Sequence, residues 1–135
     1  MTKRIAVIDL GTNTFHLLVK DVSSDHSPKF VCRLKEYIKL AEEGIETIGE
    51  KPFARGMKTL QSFSEKLKEL NVDEVYAIGT AALRTASNGQ EFIDKAEEKY
   101  DITVQLIDGD QEAALIAEGV RAAIPFTDEI KLIMD

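Results

Sequence analysis

The chain has 135 residues, 44% apolar and 30% charged, with a formal charge of −7 at pH 7. One globular domain with a sizeable core fits these values. They argue against general nucleic-acid binding, which calls for a basic footprint, and no apolar run is long enough for a bilayer-spanning helix.

Arg4 to Leu10 and Phe15 to Ser23 read as two strands on either side of a polar turn. The turn, Asp9-Leu-Gly-Thr-Asn-Thr14, joins a carboxylate to a glycine and three small polar side chains. Gly11 would let backbone N–H groups approach a ligand closely. Thr12, Asn13 and Thr14 offer hydrogen bonds, and Asp9 is an oxygen ligand suited to Mg²⁺ or to a water on it. A plain β-hairpin with a polar turn would show the same residues. Lys29 to Ile38 follows Ser23-Ser-Asp-His-Ser-Pro28 as a third strand, which completes an antiparallel meander. His16 alternates with apolar neighbours and reads as structural, and His26 has no metal-ligand partner at useful spacing. Cys32 is the single cysteine; it excludes an internal disulfide and fits a reducing, cytoplasmic location. No signal-peptide pattern is seen at the N-terminus.

Lys39 to Lys51 is a polar loop with Gly44 and Gly49. A helix is expected from about Pro52 to Leu70, with Phe53, Met57, Leu60, Phe63, Leu67 and Leu70 forming one apolar stripe. Proline suits its start and Asn71 its stop. Glu74 to Ile78 is the fourth strand. A second helix, Gly89 to Tyr100, is expected to be capped by Asn88, with Glu91 three residues on. Thr103 to Ile107 is the fifth strand. A third helix covers Asp110 to Ala123, with Ala113, Ile116, Ala117 and Val120 on its buried side and Pro125 beyond its end; Ile130 to Met134 is a further strand. Three strands of meander followed by alternating helix and strand give an α/β fold, a mixed sheet flanked by helices.

Two later segments carry chemistry. Thr80 and Arg84 follow the fourth strand, where ligands of such sheets bind beyond the strand ends. Arg84 could fork onto phosphate oxygens or pair with Asp108 or Glu112. Asp108-Gly-Asp-Gln-Glu-Ala113 opens the third helix. Glu112 lies in its first turn, where unpaired N–H groups favour a negative charge. An ionised carboxylate there can take a proton from water. Alternatively, Asp108 or Gly109 caps the helix and Glu112 supports it.

These segments resemble, in order and at sensible distances, the exopolyphosphatase/guanosine pentaphosphate phosphohydrolase (Ppx/GppA) family of the actin-like (acetate/sugar kinase, Hsp70, actin) ATPase superfamily. The opening turn is similar to the family's Asp-hydrophobic-Gly-Ser-Asn-Ser, with Thr12 and Thr14 in place of serine. Gly79-Thr-Ala-Ala-Leu-Arg-Thr-Ala-Ser-Asn88 resembles its Gly/Ala-Thr-x-x-Leu-Arg-x-Ala-x-Asn. Asp108 to Ala113 resembles its Ser-Gly-x-Glu-Glu-Ala, with Asp108 for the serine and Gln111 for the first glutamate. Leu40-Ala-Glu-Glu-Gly44 resembles the family's Leu-Gly/Ala-x-Gly loop, and reads equally well as a rim of the substrate channel or as a solvated loop.

The resemblance implies a ribonuclease H-like, actin-like lobe over residues 1–124, with a mixed five-stranded sheet (three-stranded antiparallel meander plus parallel strands) flanked by helices. Residues 125–135 would begin the link to a missing second lobe, without which the fragment would be nearly inactive. It implies Mg²⁺-dependent hydrolysis of terminal phosphoanhydrides in inorganic polyphosphate or guanosine pentaphosphate. Glu112 would be the general base and Arg84 would stabilise transferred charge. Gly11, Thr12, Asn13, Thr14 and Thr80 would bind phosphate, and Asp9 and Asp135 would contact the metal. The expected partners are that polyanion and the C-terminal lobe, with a homodimer left open and neither a nucleic acid nor a membrane expected. Two other readings stay within the fold: a sugar- or acetate-kinase-like phosphotransferase, and a non-catalytic sensor of guanosine pentaphosphate or tetraphosphate.

Overall fold

Residues 2–114 are described by the computed structural model. Alternating apolar residues draw the first three strands into the expected meander. β1 (Thr2–Leu10) pairs antiparallel with β2 (Thr14–Ser23), and β2 with β3 (Lys29–Tyr37), with an irregularity at Val19/Lys20. α1 (Glu50–Glu69) then crosses to β4 (Glu74–Gly79), which lies parallel to β1. A short helix, α2 (Ala81–Thr85), and a longer one, α3 (Gly89–Tyr100), lead to β5 (Val104–Leu106), parallel to β4. The five strands form one sheet in the order β3-β2-β1-β4-β5. Residues 109–114 begin a further helix, α4. The expected strand at Ile130 to Met134 and the remainder of the third expected helix lie outside the described residues.

One face of the sheet carries the core. Ala6, Ile8 and Leu10 of β1 and Phe15, Leu17 and Val19 of β2 are buried against Leu60 and Phe63 of α1 and Phe92, Ile93 and Ala96 of α3. Phe92 is the hub: its ring meets Phe15 at 6.0 Å and Phe53 at 5.1 Å, both edge to face. Burying each such side chain contributes roughly 1.5–3 kcal/mol. Gly56 makes this contact possible, because a Cβ there would stand 2.8 Å from the Phe92 ring.

α1 ends as expected at Asn71, which takes φ 53°. Its N–H bonds the Lys68 carbonyl, and the Val72 N–H bonds that of Leu67. This pair of bonds closes the last turn of the helix. The N-terminal half of α3 departs from expectation. Asn88 makes no side-chain cap bond to it. Its amide instead accepts from the Ile48 N–H at 2.8 Å and donates to the Ile48 carbonyl at 2.9 Å. Both amide groups are used by a distant loop, which outweighs local capping. Glu91 pairs with Lys95 at 3.5 Å. Gly89 is required by packing, since a Cβ there would collide with the Leu83 backbone of α2.

Candidate functional site

The strand register decides what meets at the site. Leu10 of β1 lies beside Gly79 of β4, and Gly79 beside Leu106 of β5. The three parallel strands therefore end level. The hairpin turn after β1, Thr80 after β4 and Asp108 after β5 emerge at one edge, where α/β sheets bind ligands.

The turn is held from behind. Its Thr12 carbonyl accepts from the Leu40 N–H at 2.8 Å. The Asn13 carbonyl accepts from Ile38 at 2.8 Å and Lys39 at 3.0 Å. In a trans peptide the N–H points away from the carbonyl, so the amides of Asn13 and Thr14 face away from this clasp. Gly11 behaves differently from the expectation. Its N–H closes the turn onto the Thr14 carbonyl at 3.0 Å and is not presented to a ligand. A Cβ at Gly11 would stand 3.1 Å from that same oxygen, so the glycine serves a tight turn. Thr80 is buried and joined to the hairpin, its N–H lying 3.4 Å from the Leu10 carbonyl. Its hydroxyl makes no cap bond to α2.

Asp9 lies on the sheet face opposite the core, because Ile8 and Leu10 face inward. The same register sets His16 directly across from Asp9 and Lys35 across from His16. Asp9 is half-buried, and burial pushes its carboxyl above the usual carboxylate range. The Glu112 carboxylate raises it further, while His16 opposes the rise. Two carboxylates thus share one poorly solvated corner beside an imidazole. The role of His16 in this corner was missed in the sequence. Counting outward from the Leu10–Phe15 pair, which encloses a turn of four residues, would have found it.

Glu112 is presented by an ordered helix start. The Asp108 carboxylate accepts from the Gln111 N–H at 2.7 Å, and the Gln111 amide oxygen accepts from the Asp108 N–H at 2.9 Å. This reciprocal pair caps α4. It is built from the two positions that depart from the family pattern, so the substitutions keep a working network. The Glu112 N–H closes the first turn onto the Asp108 carbonyl at 2.9 Å. Glu112 is half-buried, while Ala113, expected on the buried side, is exposed. The helix therefore turns Glu112 toward the sheet in place of its neighbour.

Arg84 braces this junction. Its Nη1 donates to the Ile107 carbonyl at 2.6 Å. It bonds neither Asp108 nor Glu112, and its Nε and Nη2 make no hydrogen bond among the described residues. One arm of the guanidinium fixes the β5–α4 turn, and the other has no hydrogen-bond partner among the described residues. Asp135 lies outside the described residues.

A sequence model of the Ppx/GppA phosphatase family matches residues 18–135. The chain belongs to the Ppx/GppA phosphatase family. An exopolyphosphatase from Cytophaga hutchinsonii shares 42% identity and superposes with a TM-score of 0.87, over 91% of this chain and 40% of that one. The Ppx/GppA member from Aquifex aeolicus shares 23% identity at a TM-score of 0.78, over 83% of this chain and 37% of that one. The ethanolamine utilization protein EutJ from Carboxydothermus hydrogenoformans, at 16% identity and a TM-score of 0.53, shares the fold alone. The lobe has the actin-like architecture expected, and it spans about 40% of the length of the Cytophaga relative. Among the described residues no helix is long and apolar enough to cross a membrane.

The donor set fits Mg²⁺ better than a metal needing a complete protein cage. Among the described residues no group of three or more His, Cys, Asp and Glu could hold a metal ion. Mg²⁺ needs only one or two carboxylates, because it retains several waters. Asp9, a half-buried carboxylate at the edge where the strands end, is an oxygen donor of the kind that suits such a cation.

Proposed function

We propose that the protein carrying this lobe removes terminal phosphate from inorganic polyphosphate or guanosine pentaphosphate by hydrolysis. The observation that supports this reading is the level ending of β1, β4 and β5, which brings the hairpin turn, Thr80 and the Asp108-to-Glu112 helix start to one edge. A general base and a metal-suited carboxylate face the same edge as the hairpin amides. The amides of Asn13 and Thr14 and the hydroxyls of Thr12, Thr14 and Thr80 hold the phosphate chain. Arg84 offers its open arm to the terminal phosphoryl oxygens. Glu112 takes a proton from a water aligned on phosphorus. The oxygen of that water bonds to phosphorus, the bridging P–O bond breaks, and the shortened chain leaves with its electron pair. Asp9 and, in our reading, Asp135 would hold Mg²⁺, which would offset phosphate charge. Catalysis of this kind is mostly positioning and electrostatics.

The lobe occupies residues 1–124 in this reading, and residues 125–135 lead into a second lobe that completes the cleft. The relatives' greater length supports that division. The single cysteine supports a cytoplasmic setting. Phosphate release by the purified full-length protein, with polyphosphate and with guanosine pentaphosphate in separate reactions, tests the proposal. Mg²⁺-dependent release from either substrate is expected, and no release from both defeats it.

A further inference from the structure

The path from β5 to Glu112 is not fixed by packing. Asp108, Gly109, Asp110 and Gln111 are all exposed, and a Cβ at Gly109 would meet nothing within 4 Å. A glycine in an open turn also makes that turn costlier to order. Hydrogen bonds hold it instead. On the strand side Ile107 is buried and anchored, its N–H on the Gly79 carbonyl at 3.1 Å and its carbonyl under Arg84 Nη1 at 2.6 Å. On the helix side the Glu112 N–H bonds the Asp108 carbonyl at 2.9 Å. Between them stands the reciprocal pair, Asp108 Oδ1 on the Gln111 N–H and Gln111 Oε1 on the Asp108 N–H. Neither side chain bonds anything else among the described residues.

The aim of Glu112 depends on this turn. Successive helical residues lie about 100° apart around the axis. Glu112 is half-buried, while Gln111 and Ala113 on either side of it are exposed. A start shifted by one residue would swing the carboxylate off the sheet and bring a neighbour in. We propose that Asp108 and Gln111 are positioning residues, which set the rotation of α4 and so hold Glu112 at the edge where the strands end. This assignment rests on the hydrolytic reading above. It gives the pair a part in the chemical step and none in holding substrate, so the pair acts on kcat and leaves KM alone.

The test measures initial rates of phosphate release against polyphosphate concentration, with Tm alongside, in full-length wild type and variants. Gln111→Leu and Asp108→Ala are each expected to lower kcat roughly ten-fold, part of the ~10² that a misplacement of about an ångström can cost. KM should not change. Gln111→Glu and Asp108→Ser keep the acceptor oxygens of such a cap and should retain kcat. The double variant Asp108→Ala/Gln111→Leu should be no slower than the slower single, because the two side chains act as one unit. In a Glu112→Gln background, Gln111→Leu should lower the residual rate no further. Wild-type kcat in both Gln111→Leu and Asp108→Ala, with only Tm reduced, makes the pair a structural cap and overturns this assignment while the hydrolytic reading stands. The same follows if Gln111→Leu slows the Glu112→Gln enzyme as much as it slows wild type. A wild-type protein that releases no phosphate overturns both.

Discussion

The two ends of β1 treat their charged residues in opposite ways. At the N-terminal end Arg4 is saturated: its guanidinium grips the Asp21 carboxylate at 2.8 and 3.1 Å and the Leu70 carbonyl at 2.8 Å. Its backbone exchanges bonds with Asp73, whose carboxylate takes the Arg4 N–H at 2.7 Å. The partnership with Arg4 holds the Asp21 carboxyl below its ordinary value. At the C-terminal end Asp9 is driven the other way, by burial and by a second carboxylate. The acid that Arg4 grips across the sheet, Asp21 of β2, thus favours the fold when ionised, whereas Asp9 at the other end of β1 opposes it when ionised. Charges already matched to protein partners hold a structure together. Charges placed where the protein does not match them are available to a ligand.

The most severe test of this contrast is Glu112→Gln in the full-length protein. Turnover should fall by ~10²–10⁴, the usual cost of losing a general base. Tm should barely move, because the backbone and the Asp108–Gln111 cap remain. Near-normal phosphate release would remove Glu112 from the chemistry.

Asp9→Asn should lower activity less than that and remove the response of Tm to added Mg²⁺. In the absence of metal it should raise Tm near neutral pH. The sign follows from linkage. With its pKa raised in the fold, the native protein binds more protons than the unfolded chain, and stability falls as pH climbs through that interval. Above it the penalty is fully present, so a neutral asparagine relieves it. A Tm below wild type at pH 7, measured by calorimetry, would contradict the account of Asp9.

Asn88→Ala removes both bonds to Ile48 and leaves that backbone N–H and carbonyl without their partner. A loss of about 1–3 kcal/mol in denaturant unfolding is expected, with kcat intact. The smallest effect belongs to Arg4→Ala at the saturated end. It should lower Tm and weaken the stability that Asp21 contributes above its unfolded pKa, a contribution that fades as pH falls through the depressed native value. KM and kcat should be unaltered. Altered kinetics in that variant would show that the two ends are coupled.

Much of the fold was legible because long elements carry strong periodicity. The six apolar positions of α1 mark its face, and Asn71 marks its end. α2 escaped notice because five residues are too few to show a period. Asn88 was misread for a related reason: before a helix an asparagine suggests a cap, and nothing local reveals that Ile48, forty residues away, takes both ends of its amide. At the site, residue identities were visible but their pairing was not. Asp9, Arg84 and Glu112 could be singled out by type, while the coupling of Asp9 to Glu112 and the Arg84–Ile107 bond depend on strand order. Gly11 shows the limit of reading by type, since its amide closes the turn.

The clasp between the hairpin and residues 38–40 is made entirely main chain to main chain. Such a joint is blind to side-chain identity. Serine can become threonine at positions 12 and 14 without disturbing the path of the loop. The side chains at positions 12 and 14 can therefore vary while the frame beneath them is inherited unaltered.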